Sequence, residues 1–363
     1  MQVLYRKYRP QQFKDFTAQN HVIQTLTNEI EQNKIAHAYL FSGHRGTGKT
    51  TMARLFAKAI NCQNRKGFEP CNECLACKEI NKGSAVDIIE IDAASNRGID
   101  DIRSLRDSIR YRPNLLKYKV LILDEAHQLS KDAANALLKI LEEPPKYVVF
   151  ILATTEAHKM ISTISSRCQR FDFYKLTIKE IVSKLERIAK EEGIVIQKEA
   201  LELIAMSSDG ALRDAEGILN QVLNFSFGRE IKVEDVQDML GVVDLSLAFE
   251  FVEFLRDKNI SEAVKYLNEK IEKGLNIDEF SKTIINFLRK LLILKISKDL
   301  VDDIAMGETK ETKDRMLDLA SQFEAKNLKL ILDLFLGAES KRMFSSIPQL
   351  PFELALVDYY YKS

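Results

Sequence analysis

The chain has 363 residues, and its 53 lysine and arginine side chains balance 53 aspartates and glutamates. With 45% hydrophobic and 29% charged residues, 14 glycines and 7 prolines, the composition excludes fibrous and disordered chains, and the length predicts two or three domains. The sequence contains no run of 18 apolar residues, which excludes a transmembrane helix of the usual kind.

The N-terminus lacks the apolar stretch of a secretory signal. We therefore expect a cytosolic protein without a membrane partner. Its five cysteines are then expected in a reducing compartment, where a disulfide framework is unusual.

Four short apolar runs divide the first half of the chain, at residues 38–41, 87–91, 119–123 and 147–152. Helical patterns separate them. Apolar runs of this length that alternate with helices are typical of a parallel sheet covered on both faces. The first half is therefore predicted to be an α/β domain.

A complete G-x-x-x-x-G-K-[ST] phosphate loop follows the first predicted strand. Such a loop turns its backbone N–H groups toward phosphate oxygens, and the helix that begins near Thr51 directs its positive end to the same charge. Lys49 is expected to neutralise the β- and γ-phosphates of a nucleotide, and Thr50 to hold Mg²⁺. The loop comprises Gly43, His44, Arg45, Gly46, Thr47, Gly48, Lys49 and Thr50.

Four cysteines follow the phosphate-loop helix in the pattern C-x₈-C-x₂-C-x₂-C: Cys62, Cys71, Cys74 and Cys77. Four thiolates at this spacing suit a closed tetrahedral Zn²⁺ site with a structural role. An iron–sulfur cluster and four free thiols are the alternatives. Cys168 lies far from the cluster and is expected to be a packed residue.

The third predicted strand ends in two carboxylates, Asp124 and Glu125. We expect this strand to lie beside the phosphate-loop strand, because the carboxyl ends of parallel strands meet at one edge of a sheet. Asp124 would then act on Mg²⁺, and Glu125 would polarise the attacking water.

No proline occurs between Pro145 and Pro348, and this long interval is rich in helical spacing and cap residues. Ser261 is predicted to N-cap one helix that Gly274 terminates. A second helix is predicted to bury one apolar face. That face comprises Ile284, Phe287, Leu288 and Leu291.

These motifs together resemble the AAA+ ATPases of the clamp-loader group. Besides the phosphate loop and the acidic pair, the resemblance rests on residues 5–10 (YRKYRP), 137–145 (LLKILEEPP), 152–155 (LATT) and 166–168 (SRC). It implies an α/β P-loop AAA+ domain with a parallel sheet at 1–176, carrying a zinc-binding insert at about 62–77. A small helical lid domain at 177–241 and an all-α collar domain at 242–363 would follow.

The resemblance also implies roles for single residues. Thr155 would sense the γ-phosphate, and Arg213 would contact the nucleotide from the lid. Arg9 and Pro10 would help to enclose the adenosine. Arg167 would reach the ATP site of a neighbouring subunit, and zinc would occupy the cysteine cluster.

A clamp loader of this group would use ATP to open a sliding clamp, load it on primer–template DNA and release it, together with other clamp-loader subunits. Asn96, Arg97 and Arg103 are the expected DNA contacts, with a solvated turn as the alternative. The competing functions are an ATP-binding structural organiser of the replication complex with little turnover, and another AAA+ motor.

Overall fold

Five parallel strands form one sheet in the first half of the chain, in the order β2-β3-β4-β1-β5. This parallel sheet confirms the predicted α/β class. The computed structural model describes residues 3–95, 98–226, 229–240, 245–305, 308, 310–342 and 345–362. The strands are β1 (Ala38–Gly43), β2 (Ile88–Asp92), β3 (Lys119–Asp124), β4 (Val148–Thr154) and β5 (Gln169–Phe173).

The expected adjacency of the phosphate-loop strand and the acidic strand is wrong. β1 pairs with β4 and β5, whereas β3 pairs with β2 and β4. β4 therefore lies between the two motifs. Strand order depends on the path of the crossover helices, which hydrophobic periodicity does not encode.

Alternate residues of the sheet pack into two separate hydrophobic cores. Tyr39 and Phe41 of β1 belong to one core, together with Ile122 of β3. Leu40 and Leu123 belong to the core on the opposite face. All five side chains are buried, as expected for strands covered on both sides.

β5 was not predicted from the sequence, because it is an edge strand with no continuous apolar run. Only Phe171 and Phe173 are buried among its five residues. Such alternation is typical of a strand with one exposed side.

Helices alternate with the strands in the first part of the chain, and further helices follow β5. Helix α8 begins after Thr177, which forms a capping box with Glu180. These helices are α1 (Leu4–Lys7), α2 (Asn20–Glu31), α3 (Lys49–Asn61), α4 (Leu75–Lys82), α5 (Ile99–Ile109), α6 (Lys131–Glu142), α7 (Ser162–Ser165), α8 (Ile178–Glu192), α9 (Lys198–Ser207) and α10 (Leu212–Ser226). Short 3₁₀ turns lie at Phe13–Asp15, Ala126–Gln128 and Ala157–Lys159.

From Val233 onward, every element in the described residues is a helix or a 3₁₀ turn, as predicted. Their core is rich in aromatic residues: the rings of Phe251 and Phe280 lie 5.2 Å apart. The helices are α11 (Val233–Leu240), α12 (Leu245–Arg256), α13 (Ile260–Glu272), α14 (Ile277–Ile296), α15 (Val301–Ile304), α16 (Lys310–Gln322), α17 (Ala325–Arg342) and α18 (Leu350–Lys362), with a 3₁₀ turn at Lys298–Leu300.

The predicted helix between Ser261 and Gly274 exists as α13, but its predicted cap is wrong. Asn259 is the N-cap residue, because its side chain accepts a hydrogen bond from the backbone N–H of Glu262. Gly274 follows the helix with a φ of +94°. The predicted apolar face of α14 is confirmed, since all four of its residues are buried.

The residues group into two compact units: Met1–Val195 with Ile204–Asn224, and Ile196–Leu203 with Phe225–Ser363. The predicted boundaries at 176 and 241 are a finer division and stay a prediction. In the described residues, we find no helix whose length and apolar character would let it cross a membrane.

Candidate nucleotide-binding site

The phosphate loop connects β1 to α3, as the sequence predicts. Lys49 is the first residue of α3 and is buried. Its Nζ donates to the carbonyl oxygens of Gly43 at 2.7 Å and His44 at 2.8 Å. Burial lowers the pKa of Lys49, and the carboxylates of Glu125 and Asp124 oppose that shift.

Two loop glycines occupy positions that larger residues would not fit. Gly46 has a φ of +78°, and a Cβ there would lie 2.8 Å from the Cβ of Ala211. Gly48 has a φ of +101°, and its Cβ would lie 2.6 Å from the ring of Phe16. Both the backbone conformation and the close packing therefore require glycine.

Thr50 and Asp124 meet at the end of the sheet despite the strand between them. The Thr50 hydroxyl donates to Asp124 Oδ2 at 2.8 Å. A hydroxyl and a carboxylate are the oxygen ligands that Mg²⁺ accepts beside phosphates. The two residues predicted to hold the metal are thus close enough to fit it.

Glu125 lies directly after β3 with a φ of +48°. Thr155 donates to Glu125 Oε2 from its hydroxyl at 2.9 Å and from its backbone N–H at 3.3 Å. His127 Nδ1 lies 3.5 Å from the same oxygen. Thr155, directly after β4, therefore fixes the orientation of the Glu125 carboxylate.

An open cleft joins the phosphate loop, the acidic pair, the N-terminal segment and α10. Arg213 of α10 stacks over the Tyr5 ring, with its guanidinium carbon 5.0 Å from the ring centroid. The predicted site residues that line the cleft are Arg9, Pro10, Arg45, Gly46, Thr47, Gly48, Lys49, Thr50, Thr51, Asp124, Glu125 and Arg213. Four residues predicted to act at the nucleotide site do not line the cleft: Gly43, His44, Thr155 and Arg167.

Of these four, Arg167 is the one placed away from the catalytic groups. Its guanidinium donates to Glu142 Oε1 at 2.9 Å and to the carbonyl oxygen of Thr163 at 2.9 Å. The side chains of Arg167 and Glu142 are 36% and 53% exposed. Within one chain, Arg167 thus forms a surface ion pair.

Glu216 also lines the cleft and is only 6% exposed. It lies three residues after Arg213, which places both on one face of α10. Burial raises the pKa of Glu216 to about 7, although the charge of Lys184 opposes the shift.

A raised carboxyl pKa means that folding takes up a proton, so stability should fall as pH rises from about 4.5 to about 7. Glu216→Gln removes this titration. We expect the parent to lose about 3 kcal/mol of stability relative to this variant between pH 4.5 and 8. Thermal unfolding followed by near-ultraviolet circular dichroism at both pH values measures the difference. Glu186→Gln, an exposed change on α8, is the control, and equal pH slopes for parent and Glu216→Gln would contradict the expectation.

The four clustered cysteines come together beside the sheet. Cys62 follows α3, and Cys74 N-caps α4. Their four sulfur atoms all lie within 4.8 Å of one another, so the cluster could hold a metal ion. Cys168 packs instead against the sheet core, where burial raises its pKa to about 11.

The DNA contacts expected at Asn96, Arg97 and Arg103 stay a prediction. Asn96 and Arg97 lie outside the described residues. The backbone of Arg103 belongs to α5, but its side chain also falls outside them.

Sequence reasoning missed seven residues that line the cleft: Tyr5, Tyr8, Phe16, Thr17, Leu176, Leu212 and Glu216. The i, i+3 spacing from Arg213 was a usable signal for Glu216. No local pattern indicates that the Phe16 ring packs on the phosphate loop or that the Tyr5 ring contacts Arg213.

Three protein-family models match successive parts of the chain. Residues 18–177 match the family described as DNA polymerase III, delta subunit. Residues 180–228 match the ATPase lid domain of a DNA polymerase III clamp loader subunit. Residues 231–363 match domain III of DNA polymerase III subunits gamma and tau.

Among curated proteins, DNA polymerase III subunit tau of Bacillus subtilis is 44% identical over 98% of this chain. The chain spans 62% of that relative's length. DNA polymerase III subunit gamma of Buchnera aphidicola from Acyrthosiphon pisum is 35% identical, with 98% of both chains covered.

Among solved structures, the Thermotoga maritima RuvB Holliday junction branch migration motor matches with a TM-score of 0.51 and 20% identity. The match covers 68% of this chain and 79% of that one. At this identity the likeness concerns the fold alone, and it agrees with the α/β fold described above. Because the Buchnera gamma subunit is 35% identical and is matched over 98% of its own length, this chain belongs to the gamma and tau subunit family of DNA polymerase III.

Proposed function

We propose that this chain is a clamp-loader subunit that binds and hydrolyses ATP. The observation that carries the proposal is the meeting of Lys49, Thr50, Asp124 and Glu125 at one cleft. These are the groups that P-loop ATPases need for phosphate binding, metal binding and activation of water. The hydrolysis would drive opening, DNA loading and release of a sliding clamp in DNA replication.

Each residue has a distinct part in this proposal. Lys49 would neutralise the β- and γ-phosphates, and Thr50 with Asp124 would hold Mg²⁺, which offsets phosphate charge when bound. Glu125, held by Thr155, would orient the attacking water. Arg213 would bind the phosphates from α10, and the surfaces of Arg9 and Pro10 would enclose the adenosine.

We propose that the partners are other clamp-loader subunits, a sliding clamp and primer–template DNA, all in the cytosol. The family matches to DNA polymerase III subunits support this assignment. Their bounds also support a lid domain that starts near residue 177 and a separate C-terminal collar domain.

Two other functions are less well supported. A structural organiser with little turnover does not need Glu125, yet Glu125 is present and oriented by two hydrogen bonds. A different AAA+ motor, such as a branch-migration enzyme, has support from fold likeness alone. Neither explains the match of residues 231–363 to gamma and tau domain III.

The test is ATP hydrolysis by the chain, assembled with its partner subunits, with and without clamp and primed DNA. Stimulation by both ligands, lost in Lys49→Ala, is expected of a clamp loader. An ATPase rate that neither clamp nor DNA changes would refute the clamp-loading part of the proposal, and a rate unaffected by Lys49→Ala would refute the site.

We further propose that the cysteine cluster holds structural zinc. In a tetrahedral zinc site with Zn–S bonds near 2.3 Å, the sulfur atoms are about 3.8 Å apart. The sulfur atoms here lie within 4.8 Å of one another. An iron–sulfur cluster would hold the cysteine sulfurs farther apart, because several iron and sulfide ions lie between them.

The expected metal content is therefore one Zn²⁺ per chain, measured by plasma mass spectrometry on protein purified without chelator. Cys74→Ser should lose the metal, because it removes one of four ligands. Cys168→Ser is the matched control and should keep it. Iron in the parent, or no metal at all, would reject the zinc assignment.

A further inference from the structure

The cysteine insert holds the N-terminal segment through a carboxylate. Glu69 lies between Cys62 and Cys71, and its Oε2 accepts a hydrogen bond from the Phe13 backbone N–H at 2.8 Å. Its Oε1 accepts one from the Lys14 N–H at 2.9 Å. One insert side chain thus fixes two consecutive peptide groups of a distant segment.

A buried lysine makes a second connection at the same place. Lys58 of α3 is 2% exposed, and its Nζ donates at 2.7 Å to both Gln11 Oε1 and Asn72 Oδ1. Asn72 lies between two cysteines of the insert, and its side-chain amide donates to the Gln11 carbonyl oxygen at 3.3 Å. The phosphate-loop helix, the insert and the N-terminal segment therefore share one polar network.

An apolar contact adds to this network. The buried ring of Phe13 lies 6.1 Å from the ring of Phe68, in an edge-to-face arrangement. Aromatic pairs in this geometry contribute beyond the area that they bury.

The segment held in this way forms part of the nucleotide cleft. Arg9 and Pro10 precede it, Phe16 and Thr17 follow it, and all four line the cleft. The Phe16 ring packs directly on Gly48 of the phosphate loop. The insert therefore holds the middle of a segment whose two ends contact the ligand site.

We propose that the cysteine insert positions the residue 9–17 wall of the nucleotide cleft, with Glu69 as the principal positioning residue. The inference rests on the proposed ATP binding. Because the same hydrogen bonds connect both sites, binding of a nucleotide and integrity of the insert are coupled. Coupling of this kind is reciprocal.

The test measures the dissociation constant of a fluorescent ATP analogue for the parent, Glu69→Ala and the control Glu73→Ala. Glu73 is an exposed acidic residue of the same insert. Glu69→Ala should weaken binding about tenfold, because two charge-assisted hydrogen bonds to the wall are lost. Glu73→Ala should bind like the parent. In the assembled loader, Glu69→Ala should raise KM and leave kcat at saturating ATP close to the parent value.

Reciprocity gives a readout that is independent of hydrolysis. Bound nucleotide should slow the reaction of the insert cysteines with a thiol reagent in the parent. It should have little effect on that rate in Glu69→Ala, because the connection between the two sites has been removed.

Glu69→Ala could also release the metal, so zinc content is measured for each variant. Gln11→Ala removes the contact with Lys58 from the other side and leaves the insert unchanged. It should keep its zinc and bind nucleotide roughly threefold more weakly. If both variants bind nucleotide as the parent does, the inference is wrong. If the parent itself binds no nucleotide, as is expected of Lys49→Ala, the proposed function is refuted instead.

Discussion

Glu125→Gln is expected to bind ATP with the affinity of the parent and to lose at least about 10²-fold in hydrolysis rate. The amide keeps the shape of the side chain, and its oxygen can still accept a hydrogen bond from the Thr155 hydroxyl. It has no negative charge, however, and cannot draw a proton from the attacking water. Binding and turnover should therefore separate.

The measurement compares single-turnover hydrolysis and equilibrium binding in the reconstituted loader with clamp and primed DNA. Glu143→Gln is the control and should hydrolyse ATP at the parent rate. It makes the same chemical change at an exposed residue directly after α6. If Glu125→Gln and the parent hydrolyse ATP at equal rates, Glu125 does not activate the attacking water.

Arg167→Ala is expected to bind ATP normally and to lower clamp- and DNA-stimulated hydrolysis by about 10³-fold. Arg167 is not among the residues that line the cleft of its own chain. In the proposed assembly it would instead stabilise charge on the phosphoryl group at a neighbouring subunit's site. Mixing Arg167→Ala chains with Glu125→Gln chains should recover part of the activity, since one intact site can then meet one intact arginine.

The ion pair with Glu142 supplies the control for this experiment. If Arg167 serves only that pair, Glu142→Ala and Arg167→Ala should behave alike, with stability changes below about 1 kcal/mol. If Arg167 acts on a neighbour, Glu142→Ala should keep its ATPase activity. If clamp and DNA stimulate ATP hydrolysis by Arg167→Ala as much as they stimulate the parent, Arg167 has only a structural role at the surface.

Much of the catalytic chemistry could be predicted from the sequence because the phosphate loop and the acidic pair are local. Lys49 and Thr50 are adjacent in the chain, and the buried β3 places Asp124 and Glu125 at the sheet edge. The approach of Thr50 to Asp124 follows from two strands that end at the same edge. The four cysteines likewise lie within one short stretch.

What the sequence could not show are contacts made between distant segments. The position of β4 between the two motifs depends on the path of the chain, and β5 has too few apolar residues to be recognised. The cap at Asn259 was missed because Ser261 was an equally good candidate by residue type. The bonds from Phe13 and Lys14 to Glu69 join residues more than fifty positions apart.

The position of β1 in the sheet affects how the protein folds while it is being synthesised. Its two partners, β4 and β5, begin more than 100 residues later in the chain. At about 5–20 residues per second, the ribosome needs several seconds to extend the chain from β1 to β5. Until β4 has been synthesised, the apolar residues Tyr39, Leu40 and Phe41 have neither of their native strand partners. The phosphate-loop strand therefore cannot take its native place in the sheet until most of the first compact unit has been synthesised.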